Sequence, residues 1–196
     1  MAWDKLAVGN FVLNLLNKKS VNSLSDSGEF SDALERRLDL DYEKELAANN
    51  WRFATKTQAL SVLVTPPSID EWTYSLQIPS DYMNLVRVIP HVPYAIYGDK
   101  IYSNYNELKL EYRYKPDWSL LPAYFVVFLA TKVAANMALA VANSPALADK
   151  LKADAMEQLA IASFSDAQAH PTKSIQSNPI ISVRGGWGYY GDGGGY

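Results

Sequence analysis

The middle of the sequence alternates apolar and polar residues, and this block most restricts what the chain can fold into. Residues 60–118 carry eight of the thirteen tyrosines and break into short runs of period two, which is typical of half-buried β-strands. The segments on either side repeat apolar residues every three or four positions, as amphipathic helices do. The sequence therefore predicts an α+β fold: a helical bundle of about four helices, with an antiparallel β domain inserted between the second and third helices.

Two helices are predicted before the block. Asp4 suits the N-cap of the first helix, whose apolar stripe runs through Val8, Val12 and Leu16. The second helix is expected over residues 31–49. Its apolar stripe repeats every four residues, at Leu34, Leu38, Tyr42 and Leu46.

Five short strands and a more regular sixth are predicted in the block, separated by prolines and glycines. The first is expected over residues 59–64, and Trp51-Arg52-Phe53 before it is expected to close the entrance of the insertion. In the sixth, Leu110 and Tyr112 point one way and Glu111 the other, so one face is buried. The remaining strands are expected over residues 74–78, 84–89, 94–97 and 101–103, the last two flanking the turn at residues 98–100.

Two more helices are predicted after the block. Pro122 fits the first turn of the third helix, and Ser144 with Pro145 fits the start of the fourth. The short break between them makes these two helices antiparallel neighbours. A stripe of small side chains on the third helix lets another backbone come close. This ridge favours either packing inside the chain or contact between subunits, and as a candidate contact site it comprises Ala130, Ala134, Ala138 and Ala142.

The C-terminal segment is rich in glycine and aromatic residues. The final twelve residues contain seven glycines, and such a sequence becomes ordered only against a partner. Its aromatic rings would supply the large contact areas that are common at interfaces. The chain thus divides into a helical platform (1–58 and 119–171), a β insertion (59–118) and an extended tail (172–196). The candidate contacts of the tail with a neighbouring copy or partner protein are Trp187, Tyr189, Tyr190 and Tyr196.

Composition narrows the class of protein. The net charge is -3 and the sequence pI is about 5.4, without the basic excess of proteins that grip DNA phosphates. Because there are no cysteines, disulfides and thiolate metal sites are excluded. The N-terminus lacks the pattern of a secretory signal. Residues 120–141 are long enough to span a membrane, but Lys132 and Asn136 near the middle favour a buried helix of a soluble protein.

No constellation of catalytic side chains stands out. His91 and His170 lack metal-ligand spacing to any other histidine and are interpreted as surface residues. Asp39 and Asp41 resemble a metal pair, but two residues apart on a helix they do not share a face, which favours a solvated surface. We therefore expect a structural or binding protein, without enzymatic activity, metal or cofactor.

The tyrosines allow an alternative function. In the first reading they form a sheet face packed on the helices or on a neighbour. In the second they form a stacking platform for single-stranded nucleic acid or another ligand, although the basic residues nearby are interleaved with carboxylates. The rings concerned are Tyr94, Tyr97, Tyr102, Tyr105, Tyr112 and Tyr114.

Several short stretches, in their order along residues 5–170, carry a family resemblance. They begin with an opening helix that leads into Val21-Asn22-Ser23-Leu24. They continue with Asn-Asn-Trp-Arg-Phe at 49–53, Ile-Pro-Ser-Asp-Tyr at 78–82 with Val-Arg-Val at 86–88, and a hairpin at 96–102 followed by Leu108 and Leu110. They end with Leu121-Pro122, Tyr124 and Ala-Thr-Lys at 130–132. In these features the chain resembles the tail tubular protein A family, the adaptors that join portal to tail nozzle in short-tailed bacteriophages.

The resemblance implies a structural virion protein. Family members form a ring, usually of dodecameric symmetry, beneath the portal protein. They bind the tail nozzle and the tail fibres and leave a channel through which DNA passes. The implied location is the phage tail, assembled in the host cytoplasm, with no role for a membrane. The glycine-rich, aromatic tail and Lys18-Lys19-Ser20, where a glycine-containing turn is common, depart from the family pattern.

Overall fold

The computed structural model describes residues 3–24, 30–64 and 71–169. Within them the chain is mixed α and β, with four α-helices and two three-stranded antiparallel sheets. All the strands lie between the second and third helices, which confirms the coarse helix–sheet–helix order. The helices are α1 Lys5–Leu15, α2 Ser31–Ala48, α3 Ala123–Ala142 and α4 Pro145–Ala169, with a 3-10 turn at Trp118–Leu120. The strands are β1 Thr55–Ala59, β2 Tyr74–Gln77, β3 Tyr82–Ile89, β4 Tyr94–Tyr97, β5 Lys100–Ser103 and β6 Lys109–Tyr114.

Local signals set the helix ends. Asp4 caps α1, its Oδ1 accepting a hydrogen bond from the N–H of Ala7 at 2.6 Å. Asn143 closes α3 in the left-handed conformation, with φ of 47°, and Ser144 Oγ accepts from the N–H of Leu147 at 3.3 Å. Because this link between α3 and α4 is so short, the two helices fold back on each other as the predicted antiparallel pair.

The helices share one hydrophobic core. Trp51 is 1% exposed within it and packs on Phe125 and Phe128, with ring centroids 5.0 and 5.9 Å apart. Its indole N–H donates to the backbone oxygen of Glu45 at 2.9 Å. Trp51 therefore belongs to the helical core, at the link between α2 and β1. The predicted α2 stripe is fully buried here: Leu34, Leu38, Tyr42 and Leu46 are 0–1% exposed.

The two sheets enclose a second core. Their strand orders are β1-β6-β3 and β2-β5-β4, so β6 and β5 are the central strands. On β6, Leu110 and Tyr112 are 0% exposed while Lys109 is exposed, which confirms the predicted alternation. Gly98, with φ of 60°, makes the tight turn between β4 and β5, where a side chain would be strained. The buried residues of this second core are Leu60, Leu76, Ile78, Val88, Ile101, Leu108, Leu110 and Tyr112.

The first strand is misplaced in the sequence prediction. The structure begins it at Thr55 rather than residue 59, and pairs it with β6. Of residues 59–64, Val62 forms an isolated bridge to Leu76. The sequence of β1 shows no apolar alternation because it is an edge strand, and residues 57–59 are exposed. Backbone pairing rather than side-chain burial holds it in place.

Among the residues described, one helix, α3, is long and apolar enough to cross a membrane. Most of its side chains are buried against the chain's own helices and the residues around Trp51. Lys132 lies 3.8 Å from Glu45 of α2, so the charge that interrupts the apolar run has a partner inside the chain. A core helix passes the same length and composition test, and the packing favours that interpretation.

Candidate interaction surfaces

The predicted alanine ridge lies inside the chain. Ala130, Ala134 and Ala138 are 0% exposed and belong to the helical core, with α4 packed closely on α3. Ala142, at the end of α3, is half-buried. A methyl group with no accessible surface cannot touch a second copy, so the first three residues are corrected from subunit contacts to internal packing.

The fourth helix instead presents an apolar surface to solvent. Met156 is 75% exposed and Phe164 is 65% exposed, one above the other on the same side of the helix. Ile161, 47% exposed, lies on the flank of this surface. We call the surface the outer α4 face, and it consists of Ala153, Met156, Ala160, Phe164 and Ala167, all exposed.

The opposite side of α4 is apolar too. Leu151 and Ala155 are 4% exposed and Ala162 is 0% exposed, facing the helical core. A helix that is apolar on both sides is normally covered on both sides, and an exposed apolar patch marks an interaction site. The second stripe could have been found, because positions 153, 156, 160, 164 and 167 repeat every three or four residues.

A buried carboxylate on α4 holds the link between α2 and β1. Asp166 is 2% exposed, and its Oδ2 accepts from the N–H of Arg52 at 2.6 Å. Its Oδ1 accepts from the N–H of Phe53 at 3.2 Å and from the hydroxyl of Tyr124 at 2.9 Å. Arg52 also donates to the backbone oxygen of Ala167 at 3.2 Å. Burial, with the nearby Asp166, raises the pKa of Tyr124 above its ordinary value.

The second link, from β6 to α3, is fastened to α2. The hydroxyl of Tyr42 donates to the backbone oxygen of Pro116 at 2.6 Å, and its ring lies 4.7 Å from that of Trp118. Burial raises the pKa of Tyr42 as well. Lys115 pairs with Glu43 at 2.7 Å. Both links between the helices and the sheets are thus hydrogen-bonded to the helices, which fixes the orientation of the insertion.

The acidic residues of α2 are only partly solvated. Asp39 pairs with Lys5 at 2.9 Å near the surface. Asp41, by contrast, is 1% exposed; its Oδ2 accepts from Arg37 at 2.9 Å and from Asn136 of α3 at 2.8 Å. The expectation of a solvated surface is therefore wrong for Asp41, which joins α2 to α3. Its other oxygen has no protein partner within the described residues.

The six tyrosines proposed as a stacking platform do not share one open face. Tyr112 and Tyr114 belong to the sheet β1-β6-β3, whereas Tyr94, Tyr97 and Tyr102 belong to the other sheet. Tyr112 is 0% and Tyr102 is 6% exposed. The two sheets pack on each other rather than on the helices. Tyr97 is 55% and Tyr105 is 50% exposed, so the packed interpretation fits Tyr102 and Tyr112 but not the whole set.

The remaining predicted residues fall outside these surfaces. His91 is exposed in the loop after β3. Within residues 3–24, 30–64 and 71–169 there is no group of three or more metal-ligating side chains. His170 and the tail residues lie outside the described residues; the latter are Trp187, Tyr189, Tyr190 and Tyr196.

Comparison with protein-family models and with curated proteins found no match for this chain. A function can therefore be argued from three observations. These are the outer α4 face, the hydrogen-bonded links that orient the insertion, and the resemblance in the short sequence stretches.

Proposed function

We propose that the chain is a structural adaptor of a phage virion, which forms a ring between the portal and the tail nozzle and leaves a channel for the genome. In this proposal the helices form a bundle that serves as the platform. The insertion is a separate β domain, and residues 172–196 are an extended tail that contacts a neighbouring copy or a partner protein. The tail tubular protein A resemblance, residues 5–170, supports this assignment.

The observation that carries the proposal is the outer α4 face. We take the occupant of this face to be a second copy of the chain. Head-to-tail contacts between identical copies form a ring when the rotation from each copy to the next adds up to a full turn. Burying the side chains of Met156 and Phe164 would contribute about 3 kcal/mol or more per contact before the costs of association. That is enough to matter for a contact repeated around a ring.

The architecture supports two kinds of partner. Each half has its own core, so the insertion can bind a nozzle or fibre protein without disturbing the subunit contacts of the helices. The two links that Asp166 and Tyr42 hold would fix the insertion of every copy in a ring at one angle to its helices. The net charge of -3 suits a wall along which DNA slides, because an acidic surface does not hold phosphates.

Electron microscopy and mass photometry of the purified full chain test the proposal. We expect closed rings for the wild type and monomers for the double variant Met156→Lys/Phe164→Lys. Both substituted side chains are largely exposed, so the variant should keep the wild-type circular dichroism and its midpoint of unfolding. The control is Leu120→Lys, on the 3-10 turn and 66% exposed, which should still form rings.

Two results would count against the proposal. A wild-type chain that stays monomeric at every concentration, alone and with portal particles of a short-tailed phage, leaves no basis for a ring. Rings that persist in the double variant would move the subunit contact away from α4.

A further inference from the structure

A cleft opens at one end of the two-sheet insertion. It has a volume of about 730 Å³, and its lining includes Leu60 and Ile78, two buried residues of the sheet core. Polar side chains without charge, among them Gln58 and Gln77, line it as well. An apolar floor beneath amide and hydroxyl groups is the usual composition of a site for a peptide or a small molecule.

The strand that leads into this cleft has a free backbone edge. β1 is the edge strand of its sheet. The backbone bonds from Tyr114 to Ala54 and from Leu60 to Leu108 fix which residues of β1 face β6. In an antiparallel pair these alternate, so the N–H and C=O groups of Thr57 and Ala59 point away from the sheet. Among the described residues, no backbone bond outside the strand ladder reaches them.

The lysine of β1 does not protect this edge in the usual way. Edge strands are often blunted by a lysine that projects into solvent. Lys56 of β1 instead pairs with Asp81, and its ammonium lies 4.5 Å from the centre of the Tyr114 ring. Ala59 belongs both to the free edge and to the cleft lining. A strand added there would place a side chain in the cleft.

The charges around the cleft indicate which kind of ligand fits it. Among the described residues, the lining contains no lysine, arginine or histidine, and Asp99 is its one carboxylate. Asp99 is exposed and accepts a hydrogen bond from Gln77 at 3.1 Å. A phosphate backbone would meet no cation among these described lining residues, whereas an uncharged apolar side chain would rest on Leu60 and Ile78.

We propose that an extended, uncharged segment of a partner protein adds to the β1 edge at Thr57 and Ala59 and places one apolar side chain in the cleft between the sheets. This is strand addition, in which main-chain bonds give affinity and the pocket gives specificity. It rests on the proposed function in one respect: it supplies the site by which the insertion would hold a second virion protein.

The test begins with selection of peptides from a random dodecapeptide display library against the full chain. We expect enriched peptides that are uncharged with apolar residues at alternate positions, and that shift the amide resonances of Thr57 and Ala59 in NMR spectra. Ala59→Pro removes the outward N–H but leaves the bonds to β6, which proline tolerates at an edge. It should weaken peptide binding about tenfold or more, the cost of roughly one hydrogen bond and its neighbours.

Asp149→Ala, on α4 with its side chain 78% exposed, should bind the peptides as the wild type does. Ser61→Phe should weaken binding by filling the cleft. Peptides that bind Ala59→Pro unchanged, peptides that shift resonances elsewhere, or no enrichment at all would each overturn the proposal. The variants should still form rings. Lost peptide binding with rings intact thus supports this site, and missing rings with peptide binding retained would count against the adaptor function alone.

Discussion

At the scale of single residues, Asp166 lies where its negative charge is unfavourable. It lies in the last turn of α4, where a carboxylate meets the negative end of the helix dipole, at a cost of about 0.3–1 kcal/mol. Three hydrogen bonds to Asp166, from Arg52, Phe53 and Tyr124, outweigh that cost, since each bond to a charged group contributes roughly 1.5–3 kcal/mol. The sequence gives no sign of this role, because the donors are more than forty residues away along the chain.

Replacing Asp166 should therefore destabilise the whole chain. Asp166→Ala leaves two backbone N–H groups and a hydroxyl without their acceptor, and we expect a loss of about 3 kcal/mol in the free energy of unfolding. Asp166→Asn keeps one oxygen and should lose less. Urea titration followed by tryptophan fluorescence gives both values. Asp149→Ala, a carboxylate of the same helix with its side chain 78% exposed, should change stability by less than about 0.5 kcal/mol; equal losses at both positions would contradict the role of Asp166.

The raised pKa values of Tyr42 and Tyr124 predict a loss of stability in alkali. Burial is the main cause for both. Above a pH of about 10 an unfolded tyrosine loses its proton while these two keep theirs, so the unfolded state binds fewer protons and unfolding becomes more favourable as pH rises. Their contribution is complete below that pH and declines above it. Tyr42→Phe and Tyr124→Phe should each flatten the fall of the unfolding free energy between pH 10 and 12, and slopes identical to the wild type would refute the assignment.

At the scale of elements, helices are read from the sequence better than strands. The stripe of α2 and the cap of α1 each depend on residues close together along the chain, and both are confirmed. The first strand is missed because its place is set by β6, about fifty residues later, and its own sequence is polar. The alanine ridge is recognised correctly as a close-packing surface, but sequence alone cannot say whether α4 or a second copy packs on it. The structure assigns it to α4 and leaves the outer α4 face exposed.

At the scale of the whole molecule, the helical core and the sheet core are joined by two links, and each link is hydrogen-bonded to the helices. Sequence order predicts that the insertion is continuous in the chain, but not that its sheets pack on each other instead of on the platform. That choice depends on residues such as Leu76 and Leu110, which join one buried cluster only after both sheets have formed. As a result the outer surfaces of the helices and of the sheets both stay available, as the proposed adaptor function requires.

The tail supplies the last prediction at this scale. Neither described core includes any residue beyond Ala162, so deletion of residues 172–196 should leave the monomer folded, with the free energy of unfolding within about 0.5 kcal/mol of the full chain. If its aromatic side chains contact a neighbouring copy or a partner, the deletion should raise the concentration needed for ring assembly or weaken partner docking, because those contacts would be lost. Mass photometry over a dilution series compares the two chains. A matched chain with Trp187, Tyr189, Tyr190 and Tyr196 replaced by serine separates the effect of the rings from that of chain length. Equal assembly and docking by the full and truncated chains would reject a contact role for the tail, and a truncated chain that unfolds would place it in the fold instead.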